Sequence, residues 1–193
     1  MNYLAHLHLA TLADSSLLGN LMADYVRGNI QQHWPADIAD GIALHRRIDA
    51  LTDSLPEVRA ARQLFRLETR RVAPITLDVI WDHFLSYHWD KLVTGTTLPV
   101  FLARAQQLIE PHLSNTPEGF QTLNTYLWRE RWMEKYAEAE YLQKVLRGMA
   151  SRRPRLVTLA DSYHDFTANY HQLEALFWQL YPPMMEKAAQ HRL

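Results

Sequence analysis

Apolar residues recur at intervals of three and four along nearly the whole chain, and alternating runs bounded by Asn-Gly or Asp-Gly turns are absent. That periodicity specifies amphipathic helices and leaves no material for a sheet. The spacing predicts a first helix after Asn2 through Leu4, Leu7 and Leu9, and a short second one over 19–26, with Gly28 and Asn29 breaking the chain. Pro35 opens a longer helix carrying Ile38, Ile42, His45 and Asp49. Ser54-Leu55-Pro56-Glu57 has the serine and glutamate of a capping box, and an Arg-rich helix is expected from there to about Arg71. Ala73 and Pro74 punctuate before a strongly apolar helix that runs to about Trp89. Further helices are expected over 98–110, 117–136, 137–150 and 156–181, the last broken by Pro182 and Pro183.

A chain of 193 residues can bury a substantial core without dividing, so one compact all-α, multi-helix domain over residues 1–193 is expected. Its apolar share of 48% and charged share of 21% argue against any long disordered stretch. With no cysteine, a disulfide framework and a thiolate zinc site are both ruled out. The start, MNYLAHLHLATLADSS, lacks a basic leader and carries two histidines within its apolar stretch, so neither a secretory signal nor a membrane span is expected and a cytoplasmic location follows.

The acidic residues are unevenly placed. Nine of the eleven aspartates fall in residues 1–90, whereas eight of the ten glutamates come later, where they suit solvent-facing helix surfaces. Short, stiff Asp and His side chains on neighbouring helices are the ligands of Mn²⁺, Fe²⁺ or Mg²⁺. His6, Asp24, the His45/Asp49 pair and the Asp78/Asp82/His83 group are therefore candidate metal-site residues. His45 and Asp49, four apart, stack on one helix face with Cβ atoms roughly 6 Å apart. Asp78 and Asp82 repeat that spacing on a helix so apolar that a buried carboxylate there needs a metal, an Arg or a His nearby. His83 lies next door, roughly 100° around the helix. His8, His33 and His88 read as structural or surface residues, and the stripe Trp128, Trp132, Tyr136 as a core or partner face.

Sixteen of the twenty basic residues are Arg, clustered at Arg46–Arg71 and again at Arg147–Arg155. The planar guanidinium fork suits phosphate and carboxylate, although a solvated helix face would also accommodate such residues. A net charge of −1 lacks the basic footprint of a nucleic-acid binder. No Gly-rich phosphate loop, G-x-S-x-G elbow or Cys nucleophile is present, which leaves metal-assisted hydrolysis.

Five segments, MNYLAHLHLA, GNLMADYVRGN, GIALHRRIDALTDSLPEVR, RRVAPITLDVIWDHFLSYHW and GMASRRPRL, together resemble the bacterial acyl carrier protein phosphodiesterase family, a divergent relative of the HD-type phosphohydrolases. The resemblance runs nearly end to end and implies an HD-like helical core. It also implies hydrolysis of the phosphodiester joining 4′-phosphopantetheine to a carrier serine, with Mn²⁺ or Mg²⁺ as cofactor. In place of the adjacent His-Asp of ordinary HD enzymes the chain reads Asp82-His83. On this reading some of His6, Asp24, His45, Asp49, Asp82 and His83 hold the ion and Asp78 orients or deprotonates the attacking water. His45 is the candidate acid for the departing serine oxygen, and Arg27 and Arg46 neutralise phosphoryl oxygens. An acidic carrier would dock on Arg59, Arg62, Arg66, Arg70, Arg152, Arg153 and Arg155, with neither nucleic acid nor membrane as partner. Two rivals stay open: hydrolysis of a nucleotide or other small phosphate ester, and a non-catalytic helical module that grips an acidic protein.

Overall fold

The computed structural model describes residues 1–193 and contains helices and no strand. In chain order the α-helices are α1 (Tyr3–Leu12), α2 (Leu17–Met22), α3 (Ile30–His33), α4 (Ala36–Ser54), α5 (Pro56–Gln63), α6 (Leu67–Arg70) and α7 (Ala73–Tyr87). They continue as α8 (Trp89–Leu92), α9 (Leu98–Ile109), α10 (Glu118–Arg129), α11 (Trp132–Lys135), α12 (Ala139–Arg152), α13 (Ser162–Ala168) and α14 (Tyr170–Ala189). Three 3₁₀ segments, Ala23–Tyr25, Glu110–Asn115 and Pro154–Leu159, join them. None of these helices is long and apolar enough to cross a membrane.

Helix α1 is the axis of the molecule. Every residue from Leu4 to Ala10 is buried, His6 and His8 included, and α2, α4, α7 and α14 all pack around it. One continuous apolar cluster runs from Met1 to Ala188, so both ends of the chain belong to the same core. A smaller cluster of Val72, Leu146, Ala150 and Leu159 pins the end of α12 and the Pro154–Leu159 turn to α7.

Several boundaries differ from the periodicity. Ser54 ends α4 and donates its hydroxyl to the Leu51 carbonyl, so the expected capping box does not form and Leu55 takes the N-cap position of α5. The Arg-rich stretch divides into α5 and α6 around Phe65, whose side chain is buried. The segment 117–136 breaks at Arg131, which adopts a left-handed φ of 53° and separates α10 from α11. Pro182 and Pro183 do not end α14. Each deprives the helix of one N–H donor, but Tyr181, Met184 and Ala188 are buried on the same face, and that packing carries the helix through.

The tightest crossing is between α2 and α4. A Cβ at Gly41 would sit 2.8 Å from the Ser16 carbonyl oxygen, and one at Gly19 would strike the Ile38 carbonyl. Two glycines therefore let the backbones touch, which brings the Ala23–Tyr25 turn against α4 and Asp24 to His45. Gly19→Ala and Gly41→Ala should each cost about 1–3 kcal/mol through overpacking, visible as a lower urea midpoint with an unchanged slope.

Candidate metal centre and adjoining cleft

His6 on α1 and His45 on α4 stack with ring centroids 3.7 Å apart and planes 17° from parallel, and both address Asp49. His6 Nε2 lies 3.0 Å from Asp49 Oδ1. A carboxylate only accepts, so this nitrogen donates, and the buried Nδ1 is left without a partner. His45 Nε2 lies 3.1 Å from Asp49 Oδ2 and 3.4 Å from Asp24 Oδ1, but neither approach has hydrogen-bond geometry, and both of its ring nitrogens are buried without a partner. Ligand atoms of His6, His45 and Asp49 all lie within 4.8 Å of one another. Asp24 completes the group from the solvent side, its side chain 75% exposed.

The electrostatics separate the two rings. Burial holds the His6 imidazole down to about 4, against the pull of Asp49, so it is neutral at neutral pH with a lone pair to offer. Burial also opposes charge on His45, but Asp24 and Asp49 outweigh it and raise the ring to about 9. Asp49 is held far below the usual carboxylate range: burial would raise it, and His45 and His6 more than reverse that. Asp24 is lowered by His45. Unpartnered buried nitrogens, one neutral ring and adjacent carboxylates form a donor set suited to a divalent cation, which would replace the His45 proton. A niche of about 10 Å³ bounded by His6, Asn20, Asp24 and His45 offers room for about one water-sized species.

The remaining candidates from α7 lie elsewhere. Asp78 Oδ1 accepts from the buried Met1 α-amino group at 2.6 Å, and the same amine lies 3.5 Å from Asp49 Oδ1. Burial opposes the charge on the amine, but Asp78 and Asp49 raise it to about 10. Asp82 spends both oxygens on the first turn of α1, accepting from Leu4 N at 2.7 Å and Ala5 N at 3.0 Å. His83 faces away: Nδ1 meets the Tyr136 carbonyl at 2.7 Å and Nε2 the Tyr170 hydroxyl at 3.0 Å, and burial lowers the ring to about 4. The structure thus brings His6, Asp24, His45 and Asp49 together and leaves Asp82 and His83 out of the cluster. Of the other histidines, His8 pairs with the Tyr181 hydroxyl, His88 with Glu174 and His33 with the Asn29 carbonyl.

The arginines divide in a similar way. Arg46 donates to the Val26 carbonyl at 3.0 Å, and Arg27 is exposed beside that turn. Arg59 donates to the Ser54 carbonyl, Arg62 to Asp53 and Arg70 to the Phe65 carbonyl. Arg66 pairs with the buried Asp165 at 2.7 Å, which also accepts from Thr69. Arg152, Arg153 and Arg155 are exposed and take part in none of these pairs.

Beside the niche, and sharing Asn2 and Tyr3 with it, opens a cleft of about 470 Å³ between the first turn of α1, Tyr25 and the α11–α12 hairpin. Its walls include Trp132, Tyr136, Tyr141 and Met149, with Lys144, Arg152 and Arg153 as its cations. Sequence periodicity assigned Trp132 and Tyr136 to a core or partner face. The cleft role of Tyr3, Tyr25 and Tyr141 carried no signal beyond their being aromatic.

Fold and site define the class first: an all-α protein with a buried histidine–carboxylate cluster able to take a divalent cation beside an aromatic cleft. The profile of the family described as acyl carrier protein phosphodiesterase matches residues 1–184. Among curated proteins, the acyl carrier protein phosphodiesterase of Pectobacterium atrosepticum is 60% identical over 193 residues, covering all of both chains. Those of Serratia proteamaculans, 59% identical over the whole of both chains, and Yersinia enterocolitica, 60% identical over 97% of both, are similarly close. No solved structure matches. The chain belongs to the acyl carrier protein phosphodiesterase family.

Asp82 supplies a pH signature. Burial lifts its carboxyl to about 7, even though the Leu4 and Ala5 N–H groups and the Met1 ammonium favour the anion. A folded pKa above the unfolded value of about 4 means that this group's stabilising contribution is full below pH ~4 and is lost as pH rises through ~7. Wild type should therefore lose stability relative to Asp82→Asn across that window, in denaturant titrations at successive pH values. A constant difference between the two proteins would show that Asp82 does not titrate there.

Proposed function

We propose that this chain hydrolyses the phosphodiester joining 4′-phosphopantetheine to a serine of holo-acyl carrier protein, releasing the apo carrier and 4′-phosphopantetheine, with Mn²⁺ or Mg²⁺ held by His6, His45 and Asp49. The observation that carries this reading is the convergence of those three ligand groups within 4.8 Å, beside a cleft of about 470 Å³.

A divalent ion there would supply positive charge to a phosphoryl oxygen and acidify water. The chain's own residues do the rest. Asp24, exposed and ionised at the mouth, is the carboxylate free to orient water and accept its proton. Asp78 holds the Met1 ammonium against Asp49 and so keeps the cluster's inner side fixed. Arg152 lines the adjoining cleft with Tyr3 and Tyr25 and is the cation we assign to the substrate's phosphate. Arg46, by contrast, already donates to the Val26 carbonyl, which leaves Arg152 the freer group to neutralise a non-bridging oxygen.

Docking is assigned to the surface where α6 packs against the Pro154–Leu159 turn. The two Arg clusters, remote in sequence, meet there around Leu67 and Val157, which are 77% and 64% exposed. An apolar centre with a cationic rim fits a small acidic helical carrier. Arg155 is uncommitted and Arg153 also lines the cleft, whereas Arg59, Arg62, Arg66 and Arg70 already hold partners within the chain.

Intact-mass analysis of holo carrier incubated with the protein and Mn²⁺ tests the reaction: loss of the whole prosthetic group with its phosphate is expected, and an unchanged mass overturns it. His6→Ala and Asp49→Ala should lower turnover at least about a hundredfold and abolish the rise in melting temperature that Mn²⁺ gives wild type. Chelation should silence wild type, and added Mn²⁺ should restore it.

Arg155→Glu, which leaves the cleft untouched, should raise KM for the carrier about threefold, leave kcat near wild type and weaken the salt dependence of kcat/KM. Unchanged KM and salt dependence would place docking elsewhere.

A further inference from the structure

Gly148 occupies the interior of α12, four residues before its end. A glycine there costs the helix about 1 kcal/mol relative to alanine, and such a residue is usually excused by a neighbour pressed against its Cα. No such neighbour exists: a Cβ built at Gly148 meets no atom within 4 Å. The contrast with Gly19 and Gly41, where backbone fills the space, is direct. What lies in front of Gly148 is the 470 Å³ cleft, whose wall it forms with Val145, Met149 and Tyr141.

We infer that this cleft is the binding site for the pantetheine arm of the substrate, with Gly148 kept bare so that the arm can lie against α12. The inference rests on the reaction proposed above and adds the place of the substrate's non-reacting part. Three features match the arm's chemistry. The cleft meets the niche of His6 and His45 at Asn2 and Tyr3, so a chain whose phosphate sits at the histidines continues into it without a turn through solvent. Its volume lies in the roughly 300–1,000 Å³ range of small-molecule sites, enough for a slender arm branched only at the gem-dimethyl carbon next to its phosphate end. Its walls combine aromatic and aliphatic surface with polar tips such as the Tyr141 hydroxyl and the Lys144 ammonium, as a largely apolar chain interrupted by two amides requires, while the Trp132 indole N–H is held by Glu130. Arg152 and Arg153 line the cleft with Tyr25, whose chain neighbour Asp24 borders the niche, so that their charge faces the substrate's phosphate end.

Holding a remote arm is also the way an enzyme of this kind separates its diester from others, because binding energy from non-reacting groups positions the reacting one. The arm would then account for selectivity among phosphodiesters, with the docking face accounting for selectivity among proteins.

The decisive variant is Gly148→Leu. Its Cβ meets no atom within 4 Å, and it replaces a poor helix former with a good one, so its melting temperature should equal or exceed that of wild type. KM for holo carrier should nevertheless rise at least tenfold, with Gly148→Ala intermediate. Pantetheine itself, which lacks the phosphate and so reports on the cleft rather than the histidines, should bind wild type saturably in a calorimetric titration. Gly148→Leu should weaken that binding at least tenfold. Wild-type KM in a folded Gly148→Leu protein, or pantetheine binding indifferent to the substitution, overturns the inference. Failure of the reaction itself shows separately, as an unchanged carrier mass with wild type, and the pantetheine titration still reads the cleft in that case.

Discussion

The contact on which the rest of the structure depends is a carboxylate reaching the start of a helix from another helix. Asp82 on α7 takes the Leu4 and Ala5 N–H groups at 2.7 and 3.0 Å, in a position fully shielded from water. α1 has no acidic residue in its first turn and no side-chain cap of its own: Asn2 has extended dihedrals, and its amide donates instead to the Tyr136 hydroxyl. Orphan N–H groups at a buried helix start would each cost about 1–3 kcal/mol. Asp82 removes that cost and, because its two oxygens bind successive N–H groups, fixes both the depth and the rotation of α1. Rotation is what aims His6 at His45 and Asp49.

The same contact shows where a reading of the sequence stops. Helical periodicity makes α1, α4, α7 and α9 plain, and the four-residue spacing puts His45 and Asp49 on one face, as the 3.1 Å approach of their side chains bears out. It equally says that a carboxylate on so apolar a helix as α7 needs a partner. It does not say that the partner is backbone, because N–H donors belong to every residue and leave no mark in composition. A metal, an arginine and a histidine were the visible options for Asp82, and a helix N-terminus is the one the fold uses. His83, a step of roughly 100° onward, is then carried to the opposite side against Tyr136 and Tyr170.

Boundaries set by backbone conformation were similarly hidden. Arg131 adopts a left-handed φ with no glycine to announce it, and the resulting break swings α11 and α12 out to make the cleft wall. Pro182 and Pro183 announce an end that tertiary burial of Met184 and Ala188 overrides. The Arg clusters were legible as clusters, but which guanidinium groups were already occupied depended on where Asp53, Asp165 and the Phe65 carbonyl fell in space.

Charge balance ties these pieces to the chemistry. Asp24 and Asp49 at the histidines, and Asp78 behind them, set three carboxylates against the Met1 ammonium and one proton on His45. Alone, that assembly repels a phosphodiester, whose own charge is negative at neutral pH. On the reading proposed above, a divalent ion in place of the His45 proton would cancel the remaining negative charge, and Arg152, which lines the adjoining cleft with Tyr3 and Tyr25, would tip the balance to positive. An anionic diester would then no longer be repelled at the cation-loaded site and would be drawn in from the side lined by arginine. Loading and substrate selection thus become one electrostatic condition: the carboxylates that would hold the cation are the groups that turn away phosphate esters until it is there.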